Sequence, residues 1–334
     1  MLLSKFGASR QESTSKTATS HIRQPLWYIR RNKPMIKKRF TILMLLFSIT
    51  VFSQEVKKDS IRLFYLGGQS NMDGYGFNFQ LPDSLNHTFE DVYIFHANPV
   101  GDNEKNSGDG IWSNLKPGHG VGFKSDSKKN TYSERFGVEL SFAYKLKKLY
   151  PNEKIAIIKY SRGGTSLDSL ASYGGSWDPE FSGINQYDHF LKTVDNALNV
   201  KDIDKDGIED ILVPNGIIWM QGESDADYSE AVAKKYHFHL KRMMQLQRAV
   251  FRDNNLPIVI GKISDSYSDN NGKVWDYLEL VQNAQEKFTT EDKNSAIVRT
   301  TENYSYSDPW HYDSEGFIDL GIQFANTVNT LHND

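Results

Sequence analysis

The sequence contains no cysteine. Disulfides, a thiol nucleophile and thiolate metal sites are thereby excluded, and the folded chain must be held by its core alone. It also lacks any excess of basic charge: 39 Lys and Arg against 42 Asp and Glu leave a net charge of -3. Nothing in that balance calls for a nucleic-acid partner. No internal repeat is detectable, and the apolar run from Phe40 to Phe52 falls short of the roughly 20 residues of a membrane-spanning helix.

That run is informative for its surroundings. Arg30, Arg31, Lys33, Lys37, Lys38 and Arg39 precede it and the small residue Ser53 comes after it. A positive segment, an apolar segment and a small residue, in that order, make a secretory signal peptide. Met35 opens a conventional positive segment, so residues 35–53 are read as the signal. Residues 1–34 are polar and aperiodic, and are either an upstream misread of the start or a disordered extension. Residues 54–334 then form a single exported domain, periplasmic or secreted, with no stable membrane span. Its oligomeric state is not written in the sequence.

What is present has a regular rhythm. Short unbroken apolar runs at Ile61–Leu66, Asp91–His96, Lys154–Tyr160, Gly216–Met220, Pro257–Lys262 and Ala296–Arg299 suit strands buried on both faces of a parallel sheet. Helical spacing of apolar residues marks Glu134–Tyr150, Ser229–Arg252, Trp275–Phe288 and residues 316–331. Alternation of this kind predicts one α/β domain, a three-layer α/β/α sandwich around a mainly parallel sheet. With 38% hydrophobic and 13% aromatic residues the core can be large. Residues 97–133 are polar and aperiodic, the kind of long connection that is usually functional or mobile.

Ligands of open α/β sheets bind beyond the carboxyl ends of the strands, so the residues just past each run matter. Gly67-Gly68-Gln69-Ser70-Asn71-Met72 comes after the first run, Ser161-Arg162-Gly163-Gly164-Thr165-Ser166 after the third and Gln221-Gly222-Glu223-Ser224-Asp225 after the fourth. Asp308-Pro309-Trp310-His311 lies ahead of the last helix. A serine hydrolase needs a nucleophile, a base, an orienter and oxyanion donors. Ser70, His311 and Asp308 fit the first three by type and position. Singly, each is as well explained by turn or cap duty.

Taken together and in this order, GQSNM, GGTS, WMQGESD and DPWH resemble the SGNH hydrolase superfamily, in its sialate O-acetylesterase and acetylxylan-esterase branch, over residues 61–331. The Ser70 surroundings are not the Gly-x-Ser-x-Gly elbow of α/β-hydrolases, because Met72 takes the second glycine position. The resemblance implies a flavodoxin-like sandwich and an exported carbohydrate O-acetylesterase without catalytic cofactor. It implies Ser70 as nucleophile, His311 as base and Asp308 as its partner, with oxyanion donors from the Ser70 amide, Gly163 (Gly164 being the alternative) and the Gln221 side chain. The superfamily's usual asparagine is replaced by that glutamine. Its substrate would be an acetylated carbohydrate of unspecified kind. A non-catalytic carbohydrate-binding relative and an esterase of other short-chain esters are the rival readings.

Other residues stay open at this level. Glu223 and Asp225 either contact substrate or the base, or cap the helix from Ser229. Arg162 meets substrate or a buried carboxylate. Asn71 is read as a turn residue bonded locally. Among the aromatics near the rim, Tyr75, Trp112, Trp177, Trp310 and Tyr312, Trp310 is the best candidate for the pocket wall. Separately, Asp202, Asp204, Asp206 and Asp210 with Gly207 match the first half of an EF-hand-type calcium loop. The glutamate of the twelfth position is missing, since Val213 stands there. The loop is either a structural calcium site remote from catalysis or a solvated acidic turn.

Overall fold

The computed structural model describes residues 58–101 and 104–333. The proposed signal peptide and the segment before it lie outside them. Seven strands form the main sheet: β1 (Asp59–Gly68), β2 (Val92–His96), β3 (Trp112–Asn114), β4 (Ile155–Ser161), β5 (Asp210–Met220), β6 (Ile258–Gly261) and β7 (Ser295–Val298). Their order is β7-β6-β5-β1-β4-β2-β3, parallel except for the antiparallel edge strand β3. All six sequence-predicted strands are present. The three-residue β3 carries too short a pattern to be seen.

Three predicted helices keep nearly their expected bounds: α5 (Glu230–Phe251), α6 (Leu278–Glu291) and α7 (Ser314–Asn333). The fourth, α2 (Glu139–Leu149), starts five residues late, because Arg135–Phe136 pairs instead with Gly76–Phe77 as a small ribbon. A further helix, α3 (Gln186–Leu198), escapes the sequence pattern because its buried face includes Gln186 and Thr193 beside Phe190, Val194 and Ala197.

Successive β1 side chains point to opposite faces, and this sorts the layers. Phe64 meets Phe142 of α2 edge-on at 5.3 Å, while Tyr65 meets Phe190 of α3 and Phe251 of α5. Helices α2 and α7 cover one face; α3, α5 and α6 cover the other. The α2–α7 approach is close: a Cβ on Gly321 would lie 2.1 Å from Ser141 Oγ. In β5, Pro214 donates no ladder bond, and the register slips between Leu63 and Phe64 so that Asn215 is passed over.

This topology creates one crevice. The chain leaves β1 for β2 and β4 on one side, then crosses to β5 on the other, so β1 sits at the switch point. Gly68 is level with Ser161 of β4 and Met220 of β5. Three sequence-distant turns therefore leave the sheet side by side. The described residues of the 97–133 connection are built into the body elsewhere. His119 and Ser107 are buried, the His119 carbonyl accepts from Lys159 Nζ, and Arg162 donates to the Val100 carbonyl and Ser107.

Candidate active site

Ser70 opens a one-turn helix, α1 (Ser70–Asp73), directly off β1. The turn is sharp because Gly68 takes φ 146°, and a Cβ there would lie 1.9 Å from the Met220 carbonyl oxygen. Only glycine fits. Below the helix, buried Lys159 of β4 donates to the Asp73 carbonyl at 2.8 Å and pairs with buried Glu139 at 2.7 Å. The Ser70 hydroxyl makes no hydrogen bond among the described residues, a state common before substrate binds.

His311 and Ser70 line the same cleft, of about 350 Å³. His311 Nδ1 lies 2.8 Å from Asp308 Oδ2. A carboxylate only accepts, so Nδ1 carries the proton and Nε2 the basic lone pair. Asp308 Oδ1 accepts in turn from the amides of Trp310 and His311, at 2.8 and 2.9 Å. Burial raises the Asp308 carboxyl, but the hydrogen bonds from His311 and Trp310 outweigh it and hold the group below its usual range. Tyr75 stacks flat on the imidazole, with ring centroids 3.5 Å apart.

Asn71 is not a locally bonded turn residue. Its Nδ2 donates to Glu223 Oε1 at 2.8 Å and to the Trp310 carbonyl at 3.1 Å, while Oδ1 accepts from the Tyr312 amide at 3.3 Å. The residue after the serine thus ties the histidine segment to α1.

Of the residues expected to donate to an oxyanion, Ser70 and Gly163 line the cleft and Gln221 does not. Gly163 and Gly164 both line the cleft, and neither amide is engaged by another group among the described residues. Gln221, however, is fully buried away from it. Its Nε2 is spent on Asp225 Oδ2 at 2.7 Å, the Thr165 carbonyl at 3.1 Å and Gln69 Oε1 at 3.2 Å. Two N–H bonds facing three acceptors have nothing left for substrate. Gln69, missed in the sequence because it reads as part of the turn, lines the cleft beside Ser70. Gln221 Nε2 and the Gly222 amide both hold its Oε1 at 3.2 Å, which turns its own amide nitrogen away from them. Asp225 also accepts from the amides of Leu167 and Asp168, so one carboxylate anchors the glycine turn and Gln221 together.

Glu223 and Asp225 do not cap α5; the Ser229 hydroxyl accepts from Val232 instead. The two acids lie in a separate short helix, α4 (Glu223–Tyr228), and both are buried. Burial pushes the Glu223 carboxyl up to about 7, against the Asn71 hydrogen bond that lowers it, and burial likewise raises Asp225 to about 6. Glu223 supports Asn71 and is not on the cleft wall. Arg162 does not line the cleft either; it is buried against Val100 and Ser107.

Of the rim aromatics, Trp112, Trp177 and Tyr312 are core, whereas Tyr75 and half-exposed Trp310 form cleft wall. The wall is completed by Ser224 of the turn after β5 and by Tyr173, Gly174, Asp227 and Trp275, residues that no motif flagged. No Lys or Arg lines it among the described residues. The acidic loop lies at the other end of the sheet, since Asp210 begins β5 and is level with Asp59 at the start of β1.

The family model for carbohydrate esterase, sialic acid-specific acetylesterase, matches residues 60–330. Among solved structures, the chain is similar in fold to a protein from Arabidopsis thaliana (TM-score 0.58, 19% identity, covering 80% of this chain and 98% of that one). A carbohydrate acetylesterase from Xanthomonas citri gives a TM-score of 0.54 at 17% identity, covering 81% and 57%. NanS gives 0.50 at 16%, covering 83% and 98%. No curated protein sequence matches significantly. The family match runs from the second residue of β1 to the closing turns of α7 and so takes in the whole switch-point crevice; this chain belongs to the sialic acid-specific acetylesterase family of carbohydrate esterases.

Proposed function

We propose that the chain is an exported serine esterase that removes acetyl groups from a neutral sugar of an acetylated carbohydrate. The observation that carries it is the shared cleft of Ser70 and His311, with Asp308 fixing the imidazole at 2.8 Å. Ser70 Oγ attacks the acetyl carbonyl carbon as its proton passes to His311 Nε2. The amides of Ser70 and Gly163 and the side chain of Gln69 hold the oxyanion. The intermediate collapses, the sugar oxygen leaves with the proton from His311, and water repeats the sequence to release acetate.

The walls support the substrate class. Tyr173 and Trp310 stand 62% and 50% exposed at the cleft, flat apolar faces against which sugar rings pack. Among the described residues, the only ionisable group on the wall besides tyrosine and His311 is Asp227, with Asp276 and Asp269 near enough to influence it. An anionic sugar would meet like charge and no counter-ion, despite the family's name.

Ser70→Ala should abolish acetate release from p-nitrophenyl acetate while leaving the thermal unfolding curve unchanged; a folded variant with wild-type activity would sink the mechanism. Acetate release from acetylated neutral polysaccharides, set beside O-acetylated sialic acids, tests the substrate class. A non-catalytic relative would release none from any of them.

A further inference from the structure

We propose that the acidic loop 202–210 is a calcium site that fastens the amino-terminal ends of β1 and β5. It is independent of the esterase reading. Carboxylate oxygens of Asp202, Asp204 and Asp210 come within 4.8 Å of one another. Asp202 and Asp210 enter no ion pair among the described residues. Among those residues, Lys154 Nζ pairs with Asp59 at 2.7 Å, Asp204 at 2.5 Å and Asp206 at 3.6 Å, and Lys58 Nζ with Glu209 at 2.8 Å.

A second observation points into the cluster. Asp210 is only 8% exposed; its Oδ2 takes the Ile203 amide at 2.7 Å, but its buried Oδ1 has no hydrogen-bond partner among the described residues. An ionised oxygen removed from water without a donor is costly, and two further carboxylates close by add repulsion. A hard divalent cation with oxygen ligands relieves both. The backbone already has the required course: Gly207, at φ 85°, makes the sharp turn, and Asp202 accepts from the amides of Asp206 and Gly207. Asp202, Asp204 and Asp206 occupy the first, third and fifth loop positions, the Ile208 carbonyl the seventh and Asp210 the ninth. Val213 at the twelfth is no ligand, so affinity should fall in the weak range of extracellular modules, Kd about 10⁻⁴ to 10⁻³ M.

The site acts on stability rather than turnover. Ten residues of β1 separate it from the Ser70 turn, about 30 Å of extended chain. Ile203, 2% exposed, plugs the loop into the core, so fixing the loop fixes the entry into β5.

The chelator-treated chain is titrated with calcium by calorimetry and melted in about 10 mM calcium, in the same concentration of magnesium, and in chelator. One calcium per chain should bind, and calcium should raise Tm by about 3 °C or more over chelator, with magnesium giving less. Asp202→Asn, which keeps an acceptor for Gly207, should lose the shift. Absence of binding and of any Tm change in the wild-type chain overturns the site. So does an equal rise with magnesium, which would mean only screening of acidic charge. Should Asp202→Asn fail to fold, the wild-type titration alone decides.

Discussion

Asn71 grips the backbone on both sides of His311, donating to the Trp310 carbonyl at 3.1 Å and accepting from the Tyr312 amide at 3.3 Å. The residue next to Ser70 therefore ties α1 to the segment that carries His311. Asp308 sets the ring's tautomer and Tyr75 its plane, but neither bridges to α1 as Asn71 does. Its remaining hydrogen goes to Glu223, which keeps the amide from rotating.

Asn71→Ala should consequently lower kcat about 100-fold, since a displacement of the base by about 1 Å has that effect. KM should change little, because Asn71 is not on the cleft wall. Steady-state kinetics on p-nitrophenyl acetate checks the split. An unchanged kcat would show that His311 is held without it.

Gln69 and Gln221 make opposite claims on the oxyanion, and kinetics separates them. Gln69→Ala should cost about 100- to 1000-fold in kcat, the usual loss of one oxyanion donor. Gln221→Ala should cost less in rate and more in stability, since it strips donors from Asp225, the Thr165 carbonyl and Gln69. The reverse ranking would restore Gln221 to the cleft.

These residues also mark how far the sequence can be read. Strands announce themselves because both faces are apolar, and the turns beyond them because glycine and serine come next. The Ser70 turn and His311 line one cleft, with Asp308 bonded to the imidazole. Which of two glutamines reaches the cleft depends on hydrogen bonds spanning 152 positions, from Gln221 to Gln69, and no local pattern encodes those. Asn71 reads as a local turn residue for the same reason: its partners lie 152 and about 240 positions away. Tyr173 and Asp227 sit in segments without periodicity, so only the fold brings them to the wall.

The Lys159–Glu139 pair gives a stability prediction. Both side chains are fully buried, and Lys159 also holds the Asp73 and His119 carbonyls at 2.8 Å. Glu139→Ala leaves an uncompensated buried ammonium, which should destabilise by about 3–5 kcal/mol. Urea midpoints measure it. A loss under about 1 kcal/mol would mean that the lysine finds another partner or water.

Glu223 predicts how stability varies with pH. Its carboxyl sits near 7 in the folded chain against an ordinary 4.5, chiefly because it is buried; Oε2 has no hydrogen-bond partner among the described residues. Below about pH 4.5 both folded and unfolded forms carry the proton, and the group has no effect. From there to about pH 7 the unfolded chain ionises while the folded chain still holds its proton, so the folded form binds more protons and stability falls as pH rises. Above about pH 7 both are ionised, and the full cost of a buried charge persists. Asp225, raised in the same direction to about 6, adds to the slope. Glu223→Gln keeps an acceptor for Asn71 and removes the charge. The variant should match wild type near pH 4 and exceed it near pH 8, by at most about 3 kcal/mol. Urea unfolding of both proteins across this range measures the gap. A gap that stays constant with pH would mean that the Glu223 carboxyl is ionised throughout, with a donor or a water channel reaching Oε2.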